Sequence, residues 1–347
     1  MPTTTTHQRI CAAISFGLGA WAFYKTQQVS GPSFEPIIQA CSKSNVTPAE
    51  FAQMTGYHEY EPMLGFGIFR FFVCLITQFL HKLAHTHPGG FLMWMLTFVV
   101  AFPVGVLVIV EAGRAGSWGP IRYPIIFGLL YQLLGISVIF PLLWVPFYIF
   151  GQGTGGVSKF RAWAAAPMNL PGLLLSIAAF IVNTKTYIWT VVAGILGGPA
   201  LALTPILLWG DKEPPLSDSK AIRDGADIAA KAYAIAGILS LLVWVFLLFV
   251  VFAEFGFHPM ALYAHVWSEA DSAVAFMTID ATVLWLGLIV CIASRKLQGG
   301  IEALLLAPIF GPGGAAALVL AGLEIEKTDA TIADEPDDDQ QQKTKKE

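Results

Sequence analysis

The chain has 347 residues, of which 55% are hydrophobic and 13% charged, with a mean hydropathy of +0.64. That balance excludes a water-soluble globule and implies an integral membrane protein. The net charge of -4 says little about partners, because much of the acid sits in the tail that begins near Glu324, and nothing suggests a nucleic-acid partner.

Apolar runs long enough to cross a core of about 30 Å recur through nearly the whole length, so the expected fold is all-α. It is a single polytopic transmembrane helix bundle of about eight or nine spans. These fall near 10–26, 62–84, 91–111, 122–150, 170–184, 188–209, 232–254, 273–294 and 302–323, with 324–347 a disordered acidic tail. Residues 27–61 read as a polar loop with a short helix starting at Thr47-Pro48-Ala49-Glu50, a capping-box pattern with proline in the first turn. The run 122–150 is overlong, and Pro141 and Pro146 are expected to bend or end it. The last span is broken by Gly311-Pro312-Gly313-Gly314. Four cysteines, at 11, 41, 74 and 291, have no paired spacing and suggest neither a disulfide framework nor a zinc motif.

A polar seam runs from Glu111 to Pro141. The apolar stretch Val104 to Val110 ends in Glu111-Ala112-Gly113-Arg114-Ala115-Gly116. On a helix, residues three apart share a face, so Glu111 and Arg114 can pair. At a helix C-terminus the cation is well placed and the carboxylate badly placed, which invites a functional question. An interfacial anchor is the plainer alternative. Gln132, in Tyr131-Gln132-Leu133-Leu134-Gly135, lies between Gly128 and Gly135 at helical spacing, a face suited to close helix packing or to a ligand. Counting spans puts Glu111, Arg114, Gln132, Glu254 and Asp280 toward one membrane face.

Asp280 sits about seven residues inside its span, and a carboxyl in apolar surroundings holds its proton more readily than one in water. Glu111, one turn from Arg114, is the candidate base or counter-charge, so two carboxyls in unlike environments offer acid and base roles. A helix-to-helix hydrogen bond is the structural alternative for Asp280. His81, His85 and His87 have helix-compatible metal spacing, but the other histidines build no further boxes, and no metal or other cofactor is expected. No Asp-Asp-x-x-Asp motif lies within a span, and no nucleotide loop or nucleophile elbow occurs. Phe255, Phe257, Tyr263 and Trp267 crowd the loop beside Glu254, as cation-stabilising faces or as an interfacial belt.

The series from Glu111 to Gly116, Tyr131 to Gly135 running to Pro141-Leu142, Phe276-Met277-Thr278-Ile279-Asp280, and Gly311 to Leu318 resembles small membrane proteins of fungal secondary metabolism. These are the integral membrane terpene cyclases of meroterpenoid and indole-diterpene biosynthesis. The resemblance implies a metal-independent cyclase closing an isoprenoid chain by protonating an epoxide or alkene. Asp280 would be the acid, Glu111 the base or counter-charge, and Arg114, Gln132, Tyr131 and Glu254 would position a lipophilic isoprenoid among membrane lipid, alongside other enzymes of the pathway. A proton-coupled transporter is the alternative function.

Two signals of location disagree. The terminal Lys343-Thr344-Lys345-Lys346-Glu347 resembles a dilysine retrieval signal of endoplasmic reticulum membrane proteins, read from the cytosol. The loop 210–231 and the Arg295-Lys296 turn carry the basic charge expected of cytosolic loops, yet the span count places them opposite the tail.

Overall fold

The computed structural model describes residues 4–43, 46–55, 67–86, 88–181 and 219–333. Among them the regular elements are all helical. Among the described residues three helices are long and apolar enough to cross a membrane, Gly89–Ala112, Lys220–Phe255 and Ser272–Arg295. Parts of the second and fifth expected spans and all of the sixth lie outside the described residues.

The first helix, α1 (Thr6–Ser42), is far longer than the apolar run that announced it. Thr5 and Gln8 close a capping box at its start, and the helix then continues through 27–42, read as loop. Next come α2 (Pro48–Thr55), α3 (Gly67–His85) and α4 (Gly89–Ala112). The Thr47 hydroxyl accepts the Glu50 amide at 3.2 Å, as the capping pattern predicts. Cys41 and Cys74 form a disulfide that ties the end of α1 to α3, a pair that sequence spacing did not suggest. Only the extra turns of α1 carry Cys41 to its partner.

The middle of the chain reverses where one overlong span was expected. α5 (Pro124–Leu134) stops at Gly135, whose φ of 88° and ψ of 145° suit glycine almost alone, and α6 (Ile136–Gly151), with a π-helical turn at Phe140–Trp144, runs back. The Trp118 amide donates to the Gly151 carbonyl at 3.1 Å, so the hairpin leaves and returns at one end of the bundle. α7 (Lys159–Ile181) and α8 (Ser219–Phe255) follow, then a short helix Pro259–Tyr263, a π-helical turn, and α9 (Ser272–Arg295).

The chain ends in a second hairpin of the same design. α10 (Leu297–Phe310) stops at Gly311 (φ 77°, ψ 156°), and α11 (Pro312–Ala333) returns to the Arg295 end, where Lys296 Nζ lies 2.7 Å from Glu326. The first ten residues of the expected acidic tail are therefore helical, and Glu324 is buried. An added Cβ at Gly311 would lie 2.6 Å from Trp244 Cγ, whereas at Gly135 the nearest atom is Asp280 Oδ1 at 3.6 Å. Both Gly→Ala variants should carry backbone strain of about 1–3 kcal/mol. Gly311→Ala should lower the melting temperature in detergent more than Gly135→Ala, and the reverse order would contradict the close approach to Trp244.

α4 and α9 run parallel. Gly89 and the Val274 region meet at one end, and Glu111 and Arg295 at the other. α6 lies along α9 in the same direction, pairing Ser137 with Asp280, Pro141 with Gly287 and Tyr148 with Arg295.

Candidate functional site

The ion network is built at the Arg295 end. α4 ends at Ala112, and its carbonyl accepts a 2.6 Å hydrogen bond from Arg161, a cation at a helix C-terminus. Residues 113–118 then pair with the glycine-rich connector. Ser158 N donates to Gly113 O at 2.9 Å, Ala115 N donates to Gly156 O at 2.8 Å, and Arg114 bridges Val157. This short ribbon turns Arg114 inward. Its Nε donates to Glu111 Oε2 at 3.0 Å and its Nη2 to Glu111 Oε1 at 2.8 Å and Glu324 Oε1 at 2.6 Å. Arg295 Nη2 donates to the same Glu111 oxygen at 2.6 Å, and its Nη1 lies 3.7 Å from Glu324.

Arg114 and Arg295 thus face Glu111 and Glu324, and all four groups are buried or nearly so. Burial alone would drive Arg114 toward its neutral form. Glu111 and Glu324 outweigh that and hold its pKa above the ordinary value. Glu111, badly placed beside a helix C-terminus, is stabilised by two arginines rather than the one its sequence neighbourhood offered.

Asp280 occupies a different depth. Its Oδ1 accepts the Ser137 hydroxyl, and the Ser137 backbone amide also donates to the carboxyl. The acid therefore caps the first turn of α6, just beyond the break at Gly135, where backbone donors are free. Arg295 lies about four turns higher on α9, roughly 22 Å away along the axis. The expected convergence of Glu111 and Asp280 is not formed. Counting 122–150 as a crossing made α4 and α9 antiparallel; the reversal at Gly135 removes that crossing and makes them parallel.

Between the two polar points runs an aromatic column on α6. Phe140 and Trp144 stack with centroids 5.2 Å apart, and Trp144 and Tyr148 with centroids 5.1 Å apart. Phe127 meets Trp144 edge-on at 6.5 Å, and the Arg295 guanidinium lies 5.4 Å from the Tyr148 ring centre.

The chain matches no family model, no curated protein and no solved structure.

The other expected site residues separate. Tyr131 lies on α5, one turn before Gly135, with its hydroxyl buried. The Gln132 side chain lies outside the described residues. Glu254 is exposed near the far end of α8, away from the network. Arg295, Glu324 and Ser137 were not singled out in advance. A signal existed for Glu324, which ends the apolar run of α11 as Glu111 ends that of α4.

Proposed function

We propose that the chain is a membrane-embedded terpene cyclase, independent of metal, that closes a lipid-soluble isoprenoid by protonation, with Asp280 as the general acid. The observation that carries this reading is the buried Asp280 carboxyl at the foot of the Phe140–Trp144–Tyr148 column. A proton source at one end and a run of π-faces beside it suit a reaction that creates a cation and moves it along a chain. A bundle interior keeps water from quenching that cation. Glu111 belongs to the far end of the column, where the network orients the substrate, and is a positioning residue rather than the partner base of Asp280. The test offers farnesylated phenols and their terminal epoxides to membranes carrying the parent chain or Asp280→Asn. Cyclised product from the parent alone supports the assignment; equal product from both removes Asp280.

A carrier reading draws on another observation. Two helices break at glycines deep in the bundle, a construction that carriers use for binding sites. A carrier returns its substrate chemically unchanged, so product analysis separates the two.

We infer a location in the endoplasmic reticulum membrane with the Arg295 end in the cytosol. The Cys41–Cys74 disulfide packs with Leu92, Met93, Ala273 and Val274 at the opposite end, and disulfides persist in oxidising compartments. Lys159, Lys220, Arg223, Lys231, Arg295 and Lys296 gather at the Arg295 end, and α11 delivers the tail there too. Tail and basic loops, which conflicted while 302–323 counted as a span, then share a side, and two hairpins take the place of two of the eight or nine spans. Protease added to sealed microsomes should remove a C-terminal epitope while leaving the disulfide-linked segment protected. Protection of the epitope would reverse the orientation.

A further inference from the structure

The cover over Asp280 is uneven. Ile279 and Val283, its neighbours on α9, are buried with Ala22 of α1 and Val138 of α6. Phe140, Trp144 and Tyr148 of the column are fully buried, and Phe127 of α5 covers the edge of Trp144. The tip of the α5–α6 hairpin is different. Leaving aside its chain neighbours, a Cβ built on Gly135 would meet, among the described residues, only Asp280 Oδ1, at 3.6 Å, whereas at the tip of the other hairpin it would run into Trp244. Gly135 itself is half-buried, and the adjoining Leu134 is 47% exposed, on the face of α5 that also exposes Ile126 and Leu129. A residue without a side chain thus stands between this carboxyl and the outside of the bundle. Asp280 keeps 6% exposure where Glu111 has none.

What lies outside is lipid. α5 runs about 16 Å from its start to the tip, and Asp280 lies about 12 Å along α9 from Ser272. In a hydrocarbon layer about 30 Å thick, both lengths put the tip well below either surface. The backbone there needs no water: the Gly135 amide donates to Tyr131 O at 3.0 Å, and its carbonyl accepts from Ile139 N at 3.1 Å. The side chains exposed beside it are apolar. The thin place over the acid therefore faces hydrocarbon and is closed to water.

We propose that the hairpin tip, Leu134, Gly135 and Ile136, is a lateral portal through which a lipophilic substrate reaches Asp280 from within the bilayer, with Gly135 setting its width. The inference rests on the cyclase reading for what passes through. The substrate partitions into the membrane first and meets the acid at the depth of the tip. Glycine at 135 then has two roles. Its backbone angles reverse the chain, and its missing side chain leaves the carboxyl within reach of lipid. Entry from hydrocarbon also keeps water away from the acid and from the cation it makes.

The probes are two carbodiimides, which add to a carboxylic acid and leave an adduct that peptide mass spectrometry locates. Dicyclohexylcarbodiimide dissolves in lipid; a cationic carbodiimide stays in water. With the purified full chain in lipid nanodiscs, the lipid-soluble reagent should modify Asp280, and the water-soluble one should modify the exposed Glu254 and leave Asp280 untouched. Gly135→Ala sets a methyl group before the carboxyl and should slow its modification severalfold. Leu134→Ala clears the lipid side of the tip and should speed it, while Leu129→Ala, more than a turn away on the same face, should leave it unchanged. Thermal unfolding in detergent shows which variants are folded; if Gly135→Ala is not, the two reagents on the parent and the Leu134→Ala rate still decide. No adduct at Asp280 from the lipid-soluble reagent, equal modification by both reagents, or a rate indifferent to every tip variant that folds overturns the portal. Turnover separates this from the cyclase reading. Lipid-phase modification that follows the tip variants, without cyclised product from any isoprenoid offered, keeps the portal and ends the cyclase; cyclised product from a chain whose Asp280 the lipid-soluble reagent does not reach does the opposite.

Discussion

Arg114→Met is expected to destabilise the protein by about 3–5 kcal/mol, enough to prevent accumulation of folded chain at growth temperature. The substitution keeps most of the side-chain volume but removes the guanidinium that donates short hydrogen bonds to both Glu111 and Glu324. Arg295 would remain beside both carboxylates, but it reaches Glu324 only at 3.7 Å. A buried uncompensated carboxylate is expensive, and Glu324 is 1% exposed. The loss should therefore be rescued in part by a second change that removes the orphaned charge. In Arg114→Met with Glu324→Gln, Glu111 keeps its pair with Arg295 and the orphaned charge is gone, so thermal unfolding in detergent should recover a substantial share of the single variant's loss. If the double variant were no more stable than Arg114→Met, the damage would lie in the ribbon joining 113–118 to 151–158 rather than in the charges. Ionic strength offers a second check, because a network this buried is little screened. Added salt should leave the parent's melting temperature nearly unchanged.

The helical class and the first pair of this network were legible before the structure was known, for local reasons. Composition declares membrane character, and Glu111 and Arg114 pair across one turn, a distance that sequence alone measures. Arg295 and Glu324 were not, because they arrive from 184 and 210 residues away. Direction along the chain was the deeper difficulty. Hydropathy reports apolar length and is blind to reversal, so a hairpin of two half-length helices reads as one overlong span. Gly135 carried the decisive information, since its backbone angles suit glycine almost alone, yet a glycine in an apolar run is equally a helix-packing residue. Once that single turn is misassigned, α7, α8 and α9 all face the wrong way. Asp280 was thereby assigned to the side of Glu111 instead of about 22 Å from Arg295 along α9. The disulfide failed for a related reason: α1 was ended at its last strongly apolar stretch, although Gln27 to Ser42 continues the helix and carries Cys41 to Cys74.

Asp280→Asn should abolish cyclisation while leaving the fold intact, and that separation tests the acid assignment. Asp280 has two offices in the structure: it caps the first turn of α6 through Ser137, and it is the carboxyl at the foot of the aromatic column. Asparagine keeps a carbonyl oxygen that can accept from both the hydroxyl and the amide of Ser137. Its loss of capping should therefore stay within about 1 kcal/mol. It has no proton of useful acidity to give, so turnover should fall by about 10²–10⁴, the range that a positioned general acid supplies. Asp280→Ala removes both offices and should lower the melting temperature as well as the rate. Ser137→Ala supplies the complementary arm. The carboxyl and the backbone amide remain, so the acid is present but less firmly held, and the rate should drop by less than in Asp280→Asn. Proportional loss of stability and of product across the three variants would make Asp280 a helix cap and nothing more. A folded Asp280→Asn without product, beside a slower but active Ser137→Ala, assigns the proton to this carboxyl.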